Sequence, residues 1–382
     1  MAKRRRKRKR KQELLPYDVV MNILIRVPVK SLLRFQCVSK QWLNMIKANP
    51  FFIQHHLLHS SQNPFLLLQR ISRQPRPLPF SSCLIGVGPH ITDFPIASPT
   101  AKILASCNGL LCLREKTKLS LLNPATNQIK HLPGKTLFGF HYIGFGFTPQ
   151  SNDYKIVTIS MHVIHQDHVL LDLDHVRVDR AQLYSLNSAS WKEIDAVKLQ
   201  PLCLVSSSVA ITGNVFWLAT MASDSATDSE FVVSFDIARE FFTLLDGPPV
   251  PSSPTRSYSN VLAVRNDKLA MFRHYIVGNF ESCSFDLWVL EDFGNDDACG
   301  VGERWVKMYS VGPFSRVLYP LSIWRDEVVC REEVSGHGNE YRGVETVLSL
   351  FNPLSNELKN LPAHRDEYCY VPFTYAESLV PL

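Results

Sequence analysis

Hydrophobic residues follow two different patterns along the chain, and the change falls near residue 60. Before that point they recur three or four positions apart, which is the spacing of one face of an α-helix. Beyond it, short runs of alternating hydrophobic and polar residues are separated by clusters of Gly, Asn, Asp, Pro and Ser, which is typical of β-strands joined by turns. The pattern therefore predicts a small helical domain followed by a large β domain.

Prolines divide the helical segment. Pro16 suits a first helical turn and Pro28 ends the first helix. The apolar face of this helix is formed by Val20, Ile23, Leu24 and Val27. A second helix follows, Ser39 is the predicted N-cap of a third, and Asn49-Pro50 ends that third helix. Three helices in about 40 residues cannot bury a core of their own, so their apolar faces must pack on the rest of the chain or on another protein.

An internal repeat indicates which all-β fold the second domain adopts. Residues 121–133 (LLNPATNQIKHLP) and 350–362 (LFNPLSNELKNLP) are identical at seven of thirteen positions, and weaker copies lie between them. The turns of the copies are anchored at Asn123, Asn187, Asp236, Glu291 and Asn352. After each turn a hydrophobic residue is expected to face the sheet, namely Ile129, Trp191, Phe241, Trp305 and Leu358. Repeats of about 50 to 60 residues are typical of four-stranded blades, which predicts a β-propeller of six or seven blades.

Composition narrows the class of protein. The 382-residue chain is 45% hydrophobic and 20% charged, as expected for a folded globular protein. Its nine cysteines form an odd set without a C-x-x-C pair, which argues against a disulfide framework and a zinc knuckle. No apolar run approaches the length of a membrane span, and no hydrophobic core follows the N-terminal charges. These features predict a soluble intracellular protein in a reducing compartment.

Positive charge is concentrated at the N-terminus. Nine consecutive basic residues stand there: Lys3, Arg4, Arg5, Arg6, Lys7, Arg8, Lys9, Arg10 and Lys11. The rest of the chain holds 32 of the 41 basic residues against 35 acidic ones. Because such a run repels itself, residues 1–12 are predicted to form a disordered tail.

We interpret the basic run as a nuclear-import signal and expect the protein in the nucleus and cytoplasm. Nucleic-acid contact is disfavoured, because no aromatic residue interleaves the charges to stack on bases. A solvated tail that no partner reads is the remaining alternative.

Residues 13–57 resemble an F-box. The resemblance rests, in order, on Leu15-Pro16, Asp18, Ile23-Leu24, the run from Arg26 to Phe35, and Cys37-Val38-Ser39-Lys40 leading to Trp42. It implies that the three helices dock onto the Skp adaptor of a Skp-cullin-F-box ubiquitin ligase. The residues that the resemblance implies to face the adaptor are Leu15, Pro16, Ile23, Leu24, Leu32, Leu33, Val38 and Trp42. For any one of them, a place in the helical core and a place in the interface fit the pattern equally well.

The β domain resembles the plant F-box-associated domain, a kelch-like β-propeller. The resemblance rests on Ser106–Cys112, Asn123-Pro124, Gly144–Phe147 with Asp153–Val157, and Gly213–Leu218. Within these motifs, glycines fit hairpin turns and aromatic residues fit packing between strands: Gly109 and Gly213, Tyr154 and Trp217. The combined interpretation is an all-α N-terminal F-box of three helices followed by an all-β propeller of six or seven blades. The predicted limits are a tail at 1–12, the F-box at 13–57, a linker at 58–64 and the propeller at 65–382.

The two resemblances together imply a substrate-recognition subunit of a Skp-cullin-F-box ubiquitin ligase. Such a subunit binds the Skp adaptor, and cullin through it, while its propeller binds a protein target; it is not an enzyme and needs no cofactor or membrane. Four loops are candidates for target binding, because loops on a rigid scaffold commonly carry specificity: 161–180, 219–230, 247–259 and 291–303. The alternatives are a propeller enzyme capped by the helices and a nucleic-acid-associated regulator that uses the basic tail.

Evidence in the sequence for a catalytic or metal-binding site is weak. His162, His165 and His168 are spaced three apart, but a strand would divide them between two faces, so we expect a solvated loop and no zinc site. Gly134-Lys135-Thr136 ends like a phosphate-binding loop, but Ile129 stands where the first glycine is required. The sequence contains no G-x-S-x-G, H-E-x-x-H or dinucleotide-binding glycine pattern. Three cysteines are interpreted as buried small hydrophobes: Cys37, Cys107 and Cys112.

Overall fold

The computed structural model describes residues 15–72, 80–86, 91–94, 96, 98–134, 137, 139–163, 176–211, 213–221, 230–249, 258–277, 282–291, 304–334, 345–361 and 368–382. The basic run at 3–11 lies outside these residues, and so do His165 and His168. Most of each of the four candidate target-binding loops lies outside them as well.

Four helices precede the first strand: α1 (Tyr17–Leu24), α2 (Val29–Phe35), α3 (Lys40–Ala48) and α4 (Pro50–Ser61). The first three occupy the predicted helical segments. Ser39 caps α3 as predicted, because its hydroxyl oxygen accepts a hydrogen bond from the backbone nitrogen of Trp42 at 3.2 Å. None of the helices in the described ranges is long and apolar enough to cross a membrane.

The fourth helix begins where the sequence predicts only an end. Asn49 follows the last residue of α3, but its side-chain oxygen also accepts hydrogen bonds from the backbone nitrogens of Phe51 (3.0 Å) and Phe52 (3.3 Å). Pro50 occupies the first turn of α4, where a missing N–H costs nothing. The helix continues to Ser61, past the predicted F-box limit at 57 and into the predicted linker.

The rest of the described chain contains one 3₁₀ turn (Val197–Leu199) and 25 strands. In chain order the strands are β1 (Phe65–Ser72), β2 (Ser81–Ile85), β3 (Ile91–Asp93), β4 (Ala101–Cys107), β5 (Leu110–Glu115), β6 (Lys118–Asn123), β7 (Gln128–His131), β8 (Phe140–Thr148), β9 (Asp153–Val163), β10 (Val176–Ser185), β11 (Ser190–Ile194), β12 (Leu202–Leu204), β13 (Val209–Ile211), β14 (Asn214–Met221), β15 (Glu230–Asp236), β16 (Phe241–Asp246), β17 (Tyr258–Arg265), β18 (Lys268–Val277), β19 (Ser282–Glu291), β20 (Arg304–Phe314), β21 (Leu318–Trp324), β22 (Glu327–Val334), β23 (Glu345–Asn352), β24 (Glu357–Asn360) and β25 (Tyr368–Tyr375).

The strands of the described chain form six antiparallel sheets, which are the blades of a propeller. Blades 1 to 5 use consecutive strands: β4 to β7, β8 to β11, β12 to β16, β17 to β20, and β21 to β24. The first strand of blade 3 is broken, since β12 and β13 both pair with β14. Blade 6 combines β25 with β1, β2 and β3. The prediction of six or seven blades is confirmed, and the number is six.

The ring is closed inside blade 6. The first strands of successive blades lie side by side around the centre, β25 next to β4, β4 next to β8, and onward through β13, β17 and β21 back to β25. Strand β1 pairs with β25 from Phe65 opposite Tyr375 to Ser72 opposite Tyr368. The beginning and the end of the β domain are therefore joined by hydrogen bonds of one sheet.

The internal repeat marks the turn between the third and fourth strands of a blade. In blade 1 the side-chain oxygen of Asn123 accepts hydrogen bonds from the backbone nitrogens of the turn, and Asn352 does the same in blade 5. The fourth residue after the end of the third strand has a positive φ in four blades: Asn127 (56°), Ala189 (50°), Glu240 (62°) and Asn356 (56°). In blade 2 the strand ends at Ser185, so the predicted anchor at Asn187 is displaced by two residues.

The hydrophobic residues that follow these turns have three different environments. The indole nitrogens of Trp191 and Trp305 donate to the carbonyls of Pro133 (2.9 Å) and Asp246 (2.8 Å) at the end of the preceding blade, which ties neighbouring blades together. Leu358 packs on the core of blades 4 and 5. The expectation that all five face the sheet is wrong for two of them, since Ile129 and Phe241 are 40% and 45% exposed.

The four residues singled out as structural in the propeller have structural roles. Gly109 and Gly213 lie in hairpin turns with φ of 76° and 82°, where glycine is favoured. Tyr154 and Trp217 are buried between strands.

Candidate adaptor-docking surface and its anchorage

The structure divides the predicted adaptor-facing residues into three groups. Four are exposed, with Leu15, Ile23 and Val38 at 62%, 52% and 63% and Pro16 beside them in the chain. Two are fully buried in the helical core, Leu24 and Leu32. Two are half-buried, Leu33 and Trp42. The structure therefore places Leu24 and Leu32 in the helical core and leaves Leu15, Pro16, Ile23 and Val38 on the surface, and contact of any of them with an adaptor stays a prediction.

Further exposed apolar residues on the helices were not predicted. They are Tyr17, Val19, Leu43, Phe51 and Leu58. Val19 lies one helical turn before Ile23 on the same face of α1, so the two form a continuous apolar strip. The apolar period of α1 could have indicated this strip, but period alone does not say which apolar face is turned to solvent. Exposed apolar side chains gathered on a small module are typical of an interaction surface.

The core of the helices includes a residue from the other end of the chain. Leu379 is buried together with Leu24, Leu32 and Phe52, and Ala125 of blade 1 packs against the same cluster. On the other side, Ile53 and Leu57 of α4 pack against the core of blades 1 and 2. The helices are thus anchored on the propeller, which is how a module too small for its own core becomes stable.

Residues 376–382, the bridging segment, lie between the helices and blade 1. The side-chain nitrogen of Asn123 donates to the backbone carbonyls of Ser378 (3.0 Å) and Val380 (2.8 Å). The backbone nitrogen of Leu382 donates to the side-chain oxygen of Gln128 at 3.3 Å. Gly109 leaves room for this segment, since a Cβ atom there would lie 2.3 Å from the carbonyl oxygen of Ala376.

A carboxylate of the bridging segment caps a helix of the F-box region. Oε2 of Glu377 accepts a hydrogen bond from the backbone nitrogen of Val29 at 3.0 Å, at the start of α2. Pro28, at the N-cap of that helix, makes no side-chain capping bond. Nearby, Nε2 of the buried His56 lies 3.0 Å from the carbonyl oxygen of Val27. Burial lowers the pKa of His56, so its ring stays neutral at pH 7, while the charge of Glu377 acts in the opposite direction.

Strand direction assigns the connections to two faces of the propeller. In an antiparallel blade the turns from first to second and from third to fourth strand lie on one face, and the other connections lie on the opposite face. The bridging segment contacts Gly109 and Asn123 in the first set of turns, so the helices lie on that face. The strand ends flanking 164–175, 222–229 and 250–257 lie on the opposite face. Those flanking 292–303 lie on the helical face.

The described residues contain little else that resembles a chemical site. No group of three or more His, Cys, Asp or Glu residues in these ranges could hold a metal ion, and His162 is exposed near the end of β9. Cys112 is buried, and burial raises the pKa of its thiol to about 12. The prediction that Cys37 is buried is wrong, because it lies exposed in the turn between α2 and α3; Cys107 is half-buried.

Comparison with known proteins agrees with this architecture. A model of the F-box domain matches residues 13–54, and a model of the F-box associated beta propeller domain matches residues 91–382. An F-box protein of Arabidopsis thaliana is 25% identical over 401 residues, covering 94% of this chain and 96% of the relative. F-box/WD-40 repeat-containing protein 1 of the same plant is 26% identical over 398 residues, covering 97% and 89%. Among solved structures, TolB from Acinetobacter baumannii matches 85% of this chain and 70% of its own at 11% identity, with a TM-score of 0.42.

Helices with an exposed apolar strip, anchored on a six-bladed propeller, define an F-box protein whose second module is a β-propeller. The chain belongs to the family with the F-box associated beta propeller domain, and it is a plant F-box protein. Its role is accordingly that of a substrate-recognition adaptor. The kelch-like character of the propeller stays a prediction.

Proposed function

We propose that this chain is the substrate-recognition subunit of a Skp-cullin-F-box ubiquitin ligase. The helices dock on the Skp adaptor and, through it, on cullin, while the propeller binds a protein target. The observation that carries the proposal is the group of exposed apolar residues at predicted adaptor positions, Leu15, Ile23 and Val38, on a module whose core is otherwise filled. Burial of apolar residues of this kind in an interface is favourable and supports docking.

Adaptor docking is tested by a pull-down of the purified chain with the Skp adaptor. Ile23→Asp on α1 and Val38→Asp between α2 and α3 each place a charge among the exposed apolar residues of the helices, and both are expected to abolish binding without changing the melting temperature. Leu354→Asp is the matched control, because Leu354 is 94% exposed in a propeller turn. If the folded wild type fails to bind, or if Ile23→Asp binds as well as Leu354→Asp, the proposal is wrong.

We further propose that the chain contributes proximity and no catalytic group. Holding a target lysine close to a conjugating enzyme converts a bimolecular encounter into an effectively intramolecular one. The face away from the helices supports target binding best, since the ends of most of the candidate loops lie there. In cells, a target is expected to bind both the wild type and Ile23→Asp but to gain ubiquitin only with the wild type. If every bound protein is ubiquitinated equally with both chains, the chain is not the recognition subunit.

We also propose that the protein is present in the nucleus and cytoplasm and that Lys3 to Lys11 direct its import. The nine consecutive basic residues support this proposal, because runs of this kind are read by the import machinery. A fluorescent fusion without residues 2–11 is expected to lose nuclear accumulation. Unchanged accumulation would show that the run is not the import signal.

A further inference from the structure

The bridging segment contributes alternately to the two modules. Four of its residues are buried although it forms neither helix nor strand: Ala376, Ser378, Leu379 and Val380. Leu379 packs into the core of the helices, and Val380 packs into the core of blades 1 and 2. Neighbouring side chains of one extended segment therefore fill two different cores.

The polar contacts of the segment follow the same division. Glu377 caps α2 through the backbone nitrogen of Val29, whereas the carbonyls of Ser378 and Val380 accept hydrogen bonds from Asn123 in the propeller. The hydroxyl of Ser378 accepts a hydrogen bond from the backbone nitrogen of Val380 at 3.1 Å, which fixes the local shape of the segment. Each module is thus bonded to the same seven residues.

A second attachment lies where the helices join the first strand. The carbonyl oxygen of Pro64, between α4 and β1, accepts hydrogen bonds from the indole nitrogen of Trp324 (3.0 Å) and from Nη2 of Arg325 (3.4 Å) in blade 5. One covalent connection would allow the helices to rotate about it. The attachments at Pro64 and through the bridging segment, together with the packing of Ile53 and Leu57 on blades 1 and 2, prevent that rotation.

We propose that the bridging segment sets the orientation of the F-box on the propeller and that Glu377 is its positioning residue. The proposal rests on the proposed ligase function only for its consequence, which is that a bound target is held at a fixed distance from the ubiquitin-conjugating enzyme. Glu377 contacts no target and no adaptor residue in this scheme. It acts through α2, by holding the start of that helix against the segment.

The orientation can be measured as a distance between two spin labels in the full chain. One label is placed on Cys37, which is exposed on the helices, and the other on Leu354→Cys in the propeller. Cys107, Cys299 and Cys369 are replaced by serine, and the five cysteines that remain are buried. Burial raises the pKa of a thiol, so a buried cysteine holds little of the reactive thiolate and reacts slowly with a label. The parent chain is expected to give one narrow distance distribution by pulsed electron double resonance.

Glu377→Ala is expected to broaden this distribution, and Glu377→Gln, which keeps an oxygen acceptor for the Val29 nitrogen, is expected to restore the narrow peak. Glu357→Ala is the matched control, because it removes an exposed carboxylate elsewhere on the propeller. A variant that merely weakened folding would lower the melting temperature and would not be rescued by glutamine alone. If the distribution of folded Glu377→Ala stays as narrow as that of Glu357→Ala, or if Glu377→Gln is as broad as Glu377→Ala, the positioning role is wrong.

The outcome is separable from that of the proposed function. A Skp pull-down with these chains before labelling is expected to show unchanged adaptor binding for Glu377→Ala, since the exposed strip on α1 is untouched. If the wild type does not bind the adaptor, the ligase proposal is wrong, but the distance measurement still tests the positioning role of Glu377. A broad distance distribution for Glu377→Ala, together with normal adaptor binding, would support both the positioning role of Glu377 and the ligase proposal.

Discussion

Gly144 and Trp217 meet where blades 2 and 3 pack against each other. A Cβ atom on Gly144 would lie 2.5 Å from Cζ2 of the Trp217 ring, which is fully buried. Two residues further along β8, a Cβ atom on Gly146 would lie 2.2 Å from Cδ1 of Ile237. At Gly144 the obstacle is a rigid, buried ring, so glycine suits the close approach of β8 to blade 3, whereas at Gly146 it is the end of the flexible Ile237 side chain.

Gly144→Ala is expected to lower the free energy of unfolding by about 1–3 kcal/mol, because an added methyl group overpacks a rigid interior. Chemical denaturation of the full chain measures this difference. Gly247→Ala is the control, since the nearest atom to a Cβ there is the Glu230 carbonyl oxygen at an ordinary 3.4 Å. Equal stability of the two variants would mean that β8 can shift away from Trp217.

Gln69→Leu is expected to destabilise the closure of the ring. Gln69 is fully buried in β1, donates to the carbonyl of Ala101 (3.0 Å) and accepts from the nitrogen of Ile103 (2.8 Å) beside a bulge in β4. Leucine leaves both backbone groups buried without a partner, at a cost of about 1–3 kcal/mol for each group. The measurement is again the denaturation midpoint, with the exposed Gln54→Leu as control. An unchanged midpoint would show that water or a shifted strand replaces the amide.

Ala189→Asn is expected to stabilise the protein. Ala189 has a φ of 50° at the position where the equivalent turns of blades 1 and 5 have Asn127 and Asn356. The left-handed conformation costs an ordinary L-residue roughly 1 kcal/mol, and asparagine tolerates it better than alanine. A rise in melting temperature checks the prediction. A fall would mean that the turn of blade 2 is held by contacts that the larger side chain disturbs.

Acid is expected to weaken the contact between blades 2 and 3 through Glu240. Burial alone would raise the pKa of this carboxyl, but hydrogen bonds and charges from Lys155 (2.8 Å) and Lys192 hold the pKa below its usual value. Since the folded pKa is lowered, the stabilisation is fully present above the unfolded value of about 4.3 and is lost as the pH falls through the folded pKa. Melting temperatures of wild type and Glu240→Gln are expected to differ at neutral pH and to converge in acid. A constant difference would contradict this assignment.

His274 is expected to make the stability of the fold depend on pH over a higher range than Glu240 does. Burial lowers the pKa of this ring to about 4 in the folded protein, and its neighbour Arg331 acts in the same direction. Because the unfolded chain takes up a proton near pH 6.5 and the folded chain does not, stability falls as the pH drops from about 6.5 to the folded pKa. His274→Phe, which keeps a ring against Tyr319, is expected to remove this part of the pH dependence. An unchanged slope of melting temperature between pH 6.5 and 4 would refute the prediction.

Much of the fold could be predicted because it is encoded locally. Proline and serine positions set the limits of the first helices, and the repeated turn from Asn123 to Asn127 is readable in the sequence since its side chain bonds to its own backbone. Helix α4 was missed because Asn49-Pro50 both ends one helix and begins the next. The sequence alone does not show whether a new helix follows Asn49-Pro50. The packing of Phe52 in the helical core, which decides this, is a tertiary contact.

The candidate surface could be predicted only in part. The sequence pattern places Ile23 and Leu24 side by side on α1, but it does not show that Ile23 is exposed and Leu24 is buried. That difference depends on what packs against the helix, and Leu379, which shares the core with Leu24, is more than 350 residues away in the chain. The capping of Val29 by Glu377 has no local signal for the same reason. Contacts that close long loops depend on tertiary structure and leave no periodic trace in either segment.

Because β25 pairs with β1, neither the propeller nor the F-box can finish folding early in synthesis. During synthesis from the N-terminus, the F-box sequence leaves the ribosome before the propeller, yet its core lacks Leu379 and blade 6 lacks its inner strand until residues 368–382 emerge. The nascent chain therefore carries an incomplete F-box core and an open ring until that segment has been made. Residues 368–382 complete both modules at once, so the F-box core and the closed propeller become available together.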